Sequence, residues 1–165
     1  MQFKTNDYIF YGTDGICQVD AVCENPFEGA PAGVCYYVLH TVKEPRQTIW
    51  NPVENDRVLM RELMKENEVG EILSSLPFAE PFAAPSAKLL REKYLGAMKS
   101  GIPGEWCRVI RTYVSRCAVT DGSVRVTDAE KGFYDGARAL LASEIAMVLG
   151  ISEADANEKI LAHIK

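Results

Sequence analysis

The strongest strand signal in the chain is residues 34–41, VCYYVLHT. β-Branched and aromatic residues of this kind suit a pleated, half-buried surface. Residues 7–11, DYIFY, carry the same signal and end at a glycine-rich turn, and residues 48–53 form a further short run. Together with a strand over residues 16–23, these segments predict three to five short antiparallel strands closing into a small barrel.

The strand over residues 16–23 alternates in polarity. This alternation predicts that Cys17, Val19, Ala21 and Cys23 face the core and that the residues between them face outward. Two prolines and two glycines in residues 25–33 then predict a loop before the next strand.

From about residue 65 the apolar residues follow a helical period. Val69, Ile72, Leu73 and Leu76 form one stripe on a helix that begins near Lys65. The three prolines of residues 77–85 predict an extended connector and a candidate domain boundary.

Capping signals bound most of the remaining predicted helices. Ser86 suits the N-cap of a helix that ends at Ser100-Gly101, and a second helix is expected from Gly104 to about Cys117. The box Thr127-x-x-Glu130 opens the longest helix, which Gly150 ends, and Ser152 opens the last. The fold class is therefore α+β: a small antiparallel β-barrel at residues 1–63, followed by a compact all-α domain at residues 64–165.

Composition limits the function classes. The chain has 165 residues, is 47% hydrophobic and carries a net charge of −5. The charge is uneven, because residues 84–145 hold 10 basic and 7 acidic side chains, so a polyanion would bind in the middle of the chain. No apolar run is long enough for a membrane helix and no signal peptide is evident, so we expect a cytoplasmic protein.

Catalytic signals are sparse. Motifs for phosphate cradles, nucleophile elbows and zinc proteases are absent from the sequence. The five cysteines are scattered without a CxxC pair, and we expect core packing rather than thiol chemistry for most of them. His40 lies in a predicted strand, where a lone histidine is usually a surface or packing residue. His163 lies near the end of the last predicted helix, where it interacts favourably with the helix dipole. We therefore expect no enzyme activity, no cofactor and no metal site.

Basic residues and one tryptophan are the main candidates for binding. Pairs such as Lys88 and Arg91 are spaced to share a helix face, as phosphate contacts require; a solvated charged face is the alternative. The candidate DNA-binding residues are Lys88, Arg91, Lys93, Arg108, Arg111, Arg125 and Lys131. Trp50 could be an exposed protein anchor or could close the barrel core.

Several short strings occur in a fixed order along the chain. In the first half these are Phe3-Lys4-x-x-Asp7-x-x-x-Tyr11, Tyr36-Tyr37-Val38-Leu39 and Asn51-Pro52-Val53. In the second half they are Lys99-Ser100-Gly101, Val109-Ile110-Arg111, Thr127-x-x-Glu130-Lys131, Ala139-x-x-Leu-x-Ala-Ser143-Glu144-Ile145-Ala146 and Leu149-Gly150-Ile151-Ser152. In this collinear order the strings resemble the CarD/CdnL family of bacterial RNA polymerase-binding transcription regulators.

The resemblance implies a Tudor-like N-terminal domain that binds the β subunit of RNA polymerase and a helical domain that contacts promoter DNA beside the melted bubble. Binding the open complex better than the closed one would shift the equilibrium between them. The candidate polymerase-binding residues lie at and before the Asn-Pro step: Arg46, Ile49, Trp50, Asn51 and Pro52. We expect a monomer that associates with the nucleoid.

The sequence departs from the family at the residues that matter for this mechanism. The family's minor-groove wedge is a tryptophan, and Ala87 occupies its position here, with Leu89 and Glu92 at neighbouring basic positions. Trp50 and Asn25 stand where arginines are expected on the polymerase side. The alternative function is therefore a polymerase- or protein-binding adaptor that has lost the DNA wedge and does not stabilise the bubble.

Overall fold

Two units make up the chain. A computed structural model describes residues 2–164, and the contacts within it separate unit 1, Met1–Leu63, from unit 2, Met64–Lys165. The described strands of unit 1 are β1 (Tyr8–Tyr11), β2 (Gly15–Glu24), β3 (Cys35–Thr41), β4 (Thr48–Pro52) and β5 (Met60–Glu62). They form one antiparallel sheet in the order β4-β3-β2-β1-β5, so β4 and β5 are its edges.

The sheet of unit 1 wraps around an apolar core. Its buried members come from the N-terminal segment and the three central strands: Phe3, Ile9, Tyr11, Cys17, Val19, Tyr37 and Leu39. The Asn51 side-chain nitrogen on β4 lies 3.2 Å from the Met60 sulfur on β5, so the two edge strands approach each other. This barrel-like unit, followed by helices, confirms the predicted α+β class.

A β-bulge interrupts the alternation of β2. Val19 pairs with Leu39 but Ala21 pairs with Val38, which leaves Asp20 as an extra residue. A bulge of one residue reverses which side chains face the core beyond it. Val22 consequently packs against the core cluster. The prediction is confirmed for Cys17 and Val19, which are fully buried, and is wrong for Ala21 and Cys23.

The regular structure in the described part of unit 2 is helical. They are α1 (Glu66–Ser75), α2 (Ala87–Ser100), α3 (Pro103–Cys117), α4 (Asp128–Leu149) and α5 (Glu153–Ile164). The predicted caps are confirmed: Ser86 accepts a hydrogen bond from the Leu89 N–H, and Thr127 and Glu130 form the capping box of α4. Gly101 and Gly150 end their helices in the left-handed conformation, with φ of 67° and 66°.

The proline-rich connector lies inside unit 2. It begins with a 3₁₀ turn at Leu76–Phe78 and continues without regular structure to Ser86. The Phe82 N–H donates to the Thr112 hydroxyl over 2.8 Å, and the Arg108 guanidinium lies 4.2 Å above the Phe82 ring. These contacts attach the connector to α3, so the interpretation of residues 77–85 as a domain boundary is wrong.

Helix α4 runs through the centre of unit 2. Its apolar stripe includes Leu141 and Ile145, both fully buried. Glu144 is also fully buried, and one of its carboxylate oxygens accepts a hydrogen bond from the Met64 N–H at 2.8 Å. Across residues 2–164, none of the helices has both the length and the apolar character needed to cross a membrane.

Candidate nucleic-acid and protein-binding surfaces

The edge strand β4 presents an aromatic surface. Trp50 is 46% exposed, and its ring centroid lies 5.3 Å from that of Phe27 in the preceding loop. Phe27 also packs edge-on against Tyr36 at 5.5 Å. Trp50 therefore belongs to the surface and does not close the core. Because β4 is an edge, its outer backbone groups are available for pairing with another chain.

The other predicted polymerase-binding residues are placed differently. Arg46 is exposed in the turn before β4, and among residues 2–164 it makes no hydrogen bond or ion pair. Ile49 is half-buried and packs against the core of unit 1. Pro52 is half-buried at the end of the strand. The edge thus offers Trp50 and Arg46 as side chains and Ile49 mainly through its backbone.

Asn51 has a structural position. It is 2% exposed, and its side-chain oxygen accepts hydrogen bonds from the Tyr11 hydroxyl at 3.4 Å and the Asn55 amide at 2.8 Å. Its side-chain nitrogen donates to the Pro52 carbonyl at 3.1 Å. These bonds hold the turn after β4 against β1. The Asn51 side chain is therefore not available to a partner, and it acts by fixing the backbone at the end of β4.

A groove of about 420 Å³ opens in unit 2 between the first turns of α2, the end of α3 and the start of α4. Its floor is apolar and its rim carries charge. The lining residues are Ala87, Lys88, Leu90, Arg91, Tyr94, Arg116, Arg125, Thr127, Ala129, Glu130 and Phe133.

Three predicted DNA-binding residues meet at this groove. Lys88, Arg91 and Arg125 are exposed and line it together. In the described part of the chain none of the three takes part in an ion pair or a side-chain hydrogen bond. Free cations around a concave surface favour binding of an anion such as phosphate.

The other four predicted cations do not join them, and three of these are engaged within unit 2. Lys93 donates to the Ala83 carbonyl, and Arg108 donates to the Glu80 carbonyl at 3.0 Å. Lys131 pairs with Asp135 at 2.7 Å on the surface of α4. The fourth, Arg111, is half-buried and its Nε atom has no hydrogen-bond partner.

The groove also contains residues that were not predicted as site residues. Arg116 donates to Oε1 of Glu130 at 2.6 Å and to the Arg125 carbonyl at 3.1 Å. Tyr94 is fully buried at the floor and its ring stacks on that of Phe133, with centroids 5.2 Å apart. The spacing of Ala87, Arg91 and Tyr94 at i, i+4 and i+7 is the sequence signal that places them on one face.

The electrostatics of the Tyr94 hydroxyl are unusual. Burial is the main cause that raises its pKa, and the nearby negative charge of Glu130 adds to the effect. The hydroxyl nevertheless makes no hydrogen bond of normal geometry within the described residues. Its interaction with the Glu130 carboxylate therefore offsets only part of the hydration that the hydroxyl loses on burial.

Ala87 occupies the rim of the groove as the first residue of α2. It is exposed, as are its neighbours Pro85, Ser86 and Lys88. None of these side chains is aromatic, so this part of the surface offers no aromatic wedge for insertion between base pairs.

The thiols and acidic groups form no reactive cluster in the described residues. Burial raises the pKa of Cys17 and of Cys107 to about 12, which keeps both thiols protonated at neutral pH. Between Gln2 and Ile164, no group of three or more His, Cys, Asp or Glu side chains is arranged to hold a metal ion.

Comparison with known proteins identifies the second half of the chain. A family model described as CarD, C-terminal domain, matches residues 89–161. The match spans α2 to α5 and includes most of the residues that line the groove. No curated protein matches the chain significantly.

Proposed function

The chain belongs to the CarD/CdnL family, whose members are connected with transcription, and we propose that it tunes transcription initiation by binding. In this proposal unit 1 binds the β subunit of RNA polymerase and unit 2 contacts promoter DNA. The protein acts by differential affinity for two states of the polymerase–promoter complex and not by catalysis. It works in the cytoplasm, at the nucleoid.

The groove carries the DNA half of the proposal. Lys88, Arg91 and Arg125 are separated in sequence, yet they surround one concave surface and have no carboxylate partner among the described residues. Cations in this arrangement support phosphate contacts, which position a protein on DNA without reading its sequence. The missing wedge at Ala87 implies that these contacts supply most of the affinity.

The exposed edge carries the polymerase half. Strand β4 offers unpaired backbone groups on its outer side, and Trp50 stands on it beside Phe27. Aromatic anchors of this kind dominate the energetics of protein interfaces. Arg46, which has no ion-pair partner among the described residues, adds a positive charge next to the same edge.

Retention of RNA polymerase from host lysate tests the first half. The immobilised wild-type protein should retain polymerase, and Trp50→Ala should reduce retention about tenfold or more, the size of an interface hot spot. Tyr8→Ala is the matched control, because Tyr8 is 45% exposed on the same sheet. Equal retention by Trp50→Ala and the wild type would remove β4 as the contact.

Binding to a fully paired promoter duplex at two salt concentrations tests the second half. With three phosphate contacts, the affinity should fall about 40-fold between 50 and 200 mM salt. The Lys88→Gln/Arg91→Gln variant should bind more weakly and with a smaller salt slope, while Lys99→Gln, elsewhere on α2, should not. Polymerase retention without any DNA affinity would favour the second candidate, an adaptor, which Ala87 and the net charge of −5 also favour.

A further inference from the structure

The floor of the groove is suited to a flat ring. Leu90 and the stacked pair Tyr94–Phe133 line it, and Phe133 is half-buried, so part of its ring surface is accessible. A planar nucleobase has a π face that stacks on aromatic side chains whatever its sequence. Phosphate contacts alone would not require such a floor.

The polar groups at the floor suit the edge of a base. The Tyr94 hydroxyl has no hydrogen bond of normal geometry, although the Glu130 carboxylate lies close enough to raise its pKa; the Glu130 oxygens themselves accept from Arg116 and from the Thr127 N–H. Bases carry amino donors and carbonyl acceptors on their edges, which match a hydroxyl and a carboxylate. The hydroxyl is covered in the structure, so a base reaches it only if a lining side chain shifts.

The charges at the rim suit the backbone of the same nucleotide. Lys88 and Arg91 stand on the α2 side and Arg125 precedes α4, so cations flank the apolar floor on both sides. An apolar floor inside a ring of cations separates a base from its phosphates in the way single-stranded nucleic acid requires.

We propose that this groove binds one unpaired nucleotide of a DNA strand, with its base against the accessible part of the Phe133 ring, which Tyr94 and Leu90 support from the core, and its phosphates on Lys88, Arg91 and Arg125. The proposal rests on the DNA contact proposed above and gives it a ligand class. A base within a duplex is stacked on both faces and cannot enter, so the groove selects DNA that is locally open. Selection of open DNA would favour the melted state without a wedge.

Three DNA duplexes of the same sequence test this proposal. The first is fully paired, the second carries one extra unpaired thymidine, and the third carries an abasic residue in place of that thymidine. We expect the thymidine bulge to bind at least about fivefold more tightly than the abasic bulge, the lower end of the effect of stacking one base. Titrations by fluorescence anisotropy give the three dissociation constants.

Variants separate the pocket from general charge. Ala129 is exposed and lines the groove, so Ala129→Phe should fill it and abolish the preference for the thymidine bulge. Ala139→Phe, at an exposed position elsewhere on α4, should keep that preference. Tyr94→Phe removes the hydroxyl beside Glu130, which makes no hydrogen bond of normal geometry, and should reduce the preference about threefold or more while changing the melting temperature little.

The outcomes distinguish the two proposals. Equal binding of all three duplexes by the wild type would overturn the nucleotide pocket and leave the phosphate contacts intact. No binding to any duplex would remove the DNA contact itself. Tight binding of free thymidine monophosphate together with equal binding of both bulges would also overturn the proposal, since the groove would then serve a soluble nucleotide.

Discussion

The Arg116 guanidinium and the Glu130 carboxylate join the end of α3 to the start of α4 across 2.6 Å. Glu130 is 8% exposed, and its other oxygen accepts a hydrogen bond from the Thr127 N–H at 2.9 Å. One carboxylate thus completes a helix cap and an ion pair together. The same pair forms one end of the groove, so its integrity fixes the shape of the candidate site.

Removing the cation of this pair should destabilise the protein. Arg116→Met leaves the buried carboxylate without its charged partner, and we expect unfolding to become easier by about 2 kcal/mol. Urea denaturation measures this. Lys131→Met is the control, because the Lys131–Asp135 pair is exposed and should contribute within about 0.5 kcal/mol. Equal effects of the two variants would contradict a special role for Arg116.

Alkaline pH should destabilise the protein through its buried thiols. Burial raises the pKa of Cys17 and of Cys107 from 9.0 to about 12, so above pH 9 the unfolded chain loses protons that the folded chain retains. The contribution of these two thiols to the free energy of unfolding is therefore fully present below pH 9. It is lost as the pH rises from 9 to 12, by up to about 1.4 kcal/mol per pH unit for each thiol.

Urea titrations under reducing conditions at pH 8, 9 and 10 measure this slope. Cys107→Ala lowers stability at every pH, but its dependence on pH should be shallower because one buried thiol is missing. An unchanged slope in this variant would show that other groups, such as the Tyr11 hydroxyl, whose pKa burial also raises, dominate the alkaline titration.

Substitutions of the neighbouring residues Asn51 and Trp50 should affect different properties, the first stability and the second polymerase binding. Asn51→Ala removes the acceptor of Tyr11 and Asn55, and we expect a loss of about 2 kcal/mol of stability. Trp50→Ala should cost about 1 kcal/mol or less, since the side chain is half-exposed. Thermal denaturation beside polymerase retention separates the effects: only Trp50→Ala should lose retention while remaining folded.

Two glycines within α4 should respond differently to alanine. A Cβ at Gly132 meets open space, so Gly132→Ala should stabilise the helix by about 0.5–1 kcal/mol. A Cβ at Gly136 would lie 3.1 Å from the Met98 methyl carbon, so that side chain must move and the gain should be smaller. Thermal denaturation ranks the two variants, and a larger gain at Gly136 would contradict this account.

Local signals predicted most of the helical unit. Ser86 and the Thr127–Glu130 box were recognisable because a capping interaction involves residues only three positions apart. The glycines that end α2 and α4 follow from the left-handed conformation required there. These interactions depend on the backbone next to them and not on the rest of the fold.

Features that depend on distant partners were not predictable in this way. The bulge at Asp20 exists because β2 must match β3, and alternation within β2 alone gives the wrong face for Ala21 and Cys23. The groove brings the start of α2 beside the loop before α4, so a list of basic residues could not show that Arg125 joins Lys88. Nor could such a list show that the Arg108 guanidinium donates a hydrogen bond to the Glu80 carbonyl in the connector.

The bulge at Asp20 also determines how β2 can change in length during evolution. An inserted or deleted residue elsewhere in the strand would exchange the core-facing and solvent-facing side chains on one side of the change. Deletion of Asp20 would instead convert the bulge into regular pairing. When related chains are aligned, a one-residue gap in this strand should therefore be placed at Asp20. His40, whose ring nitrogen lies 2.8 Å from the Asp20 carboxylate, should vary together with it.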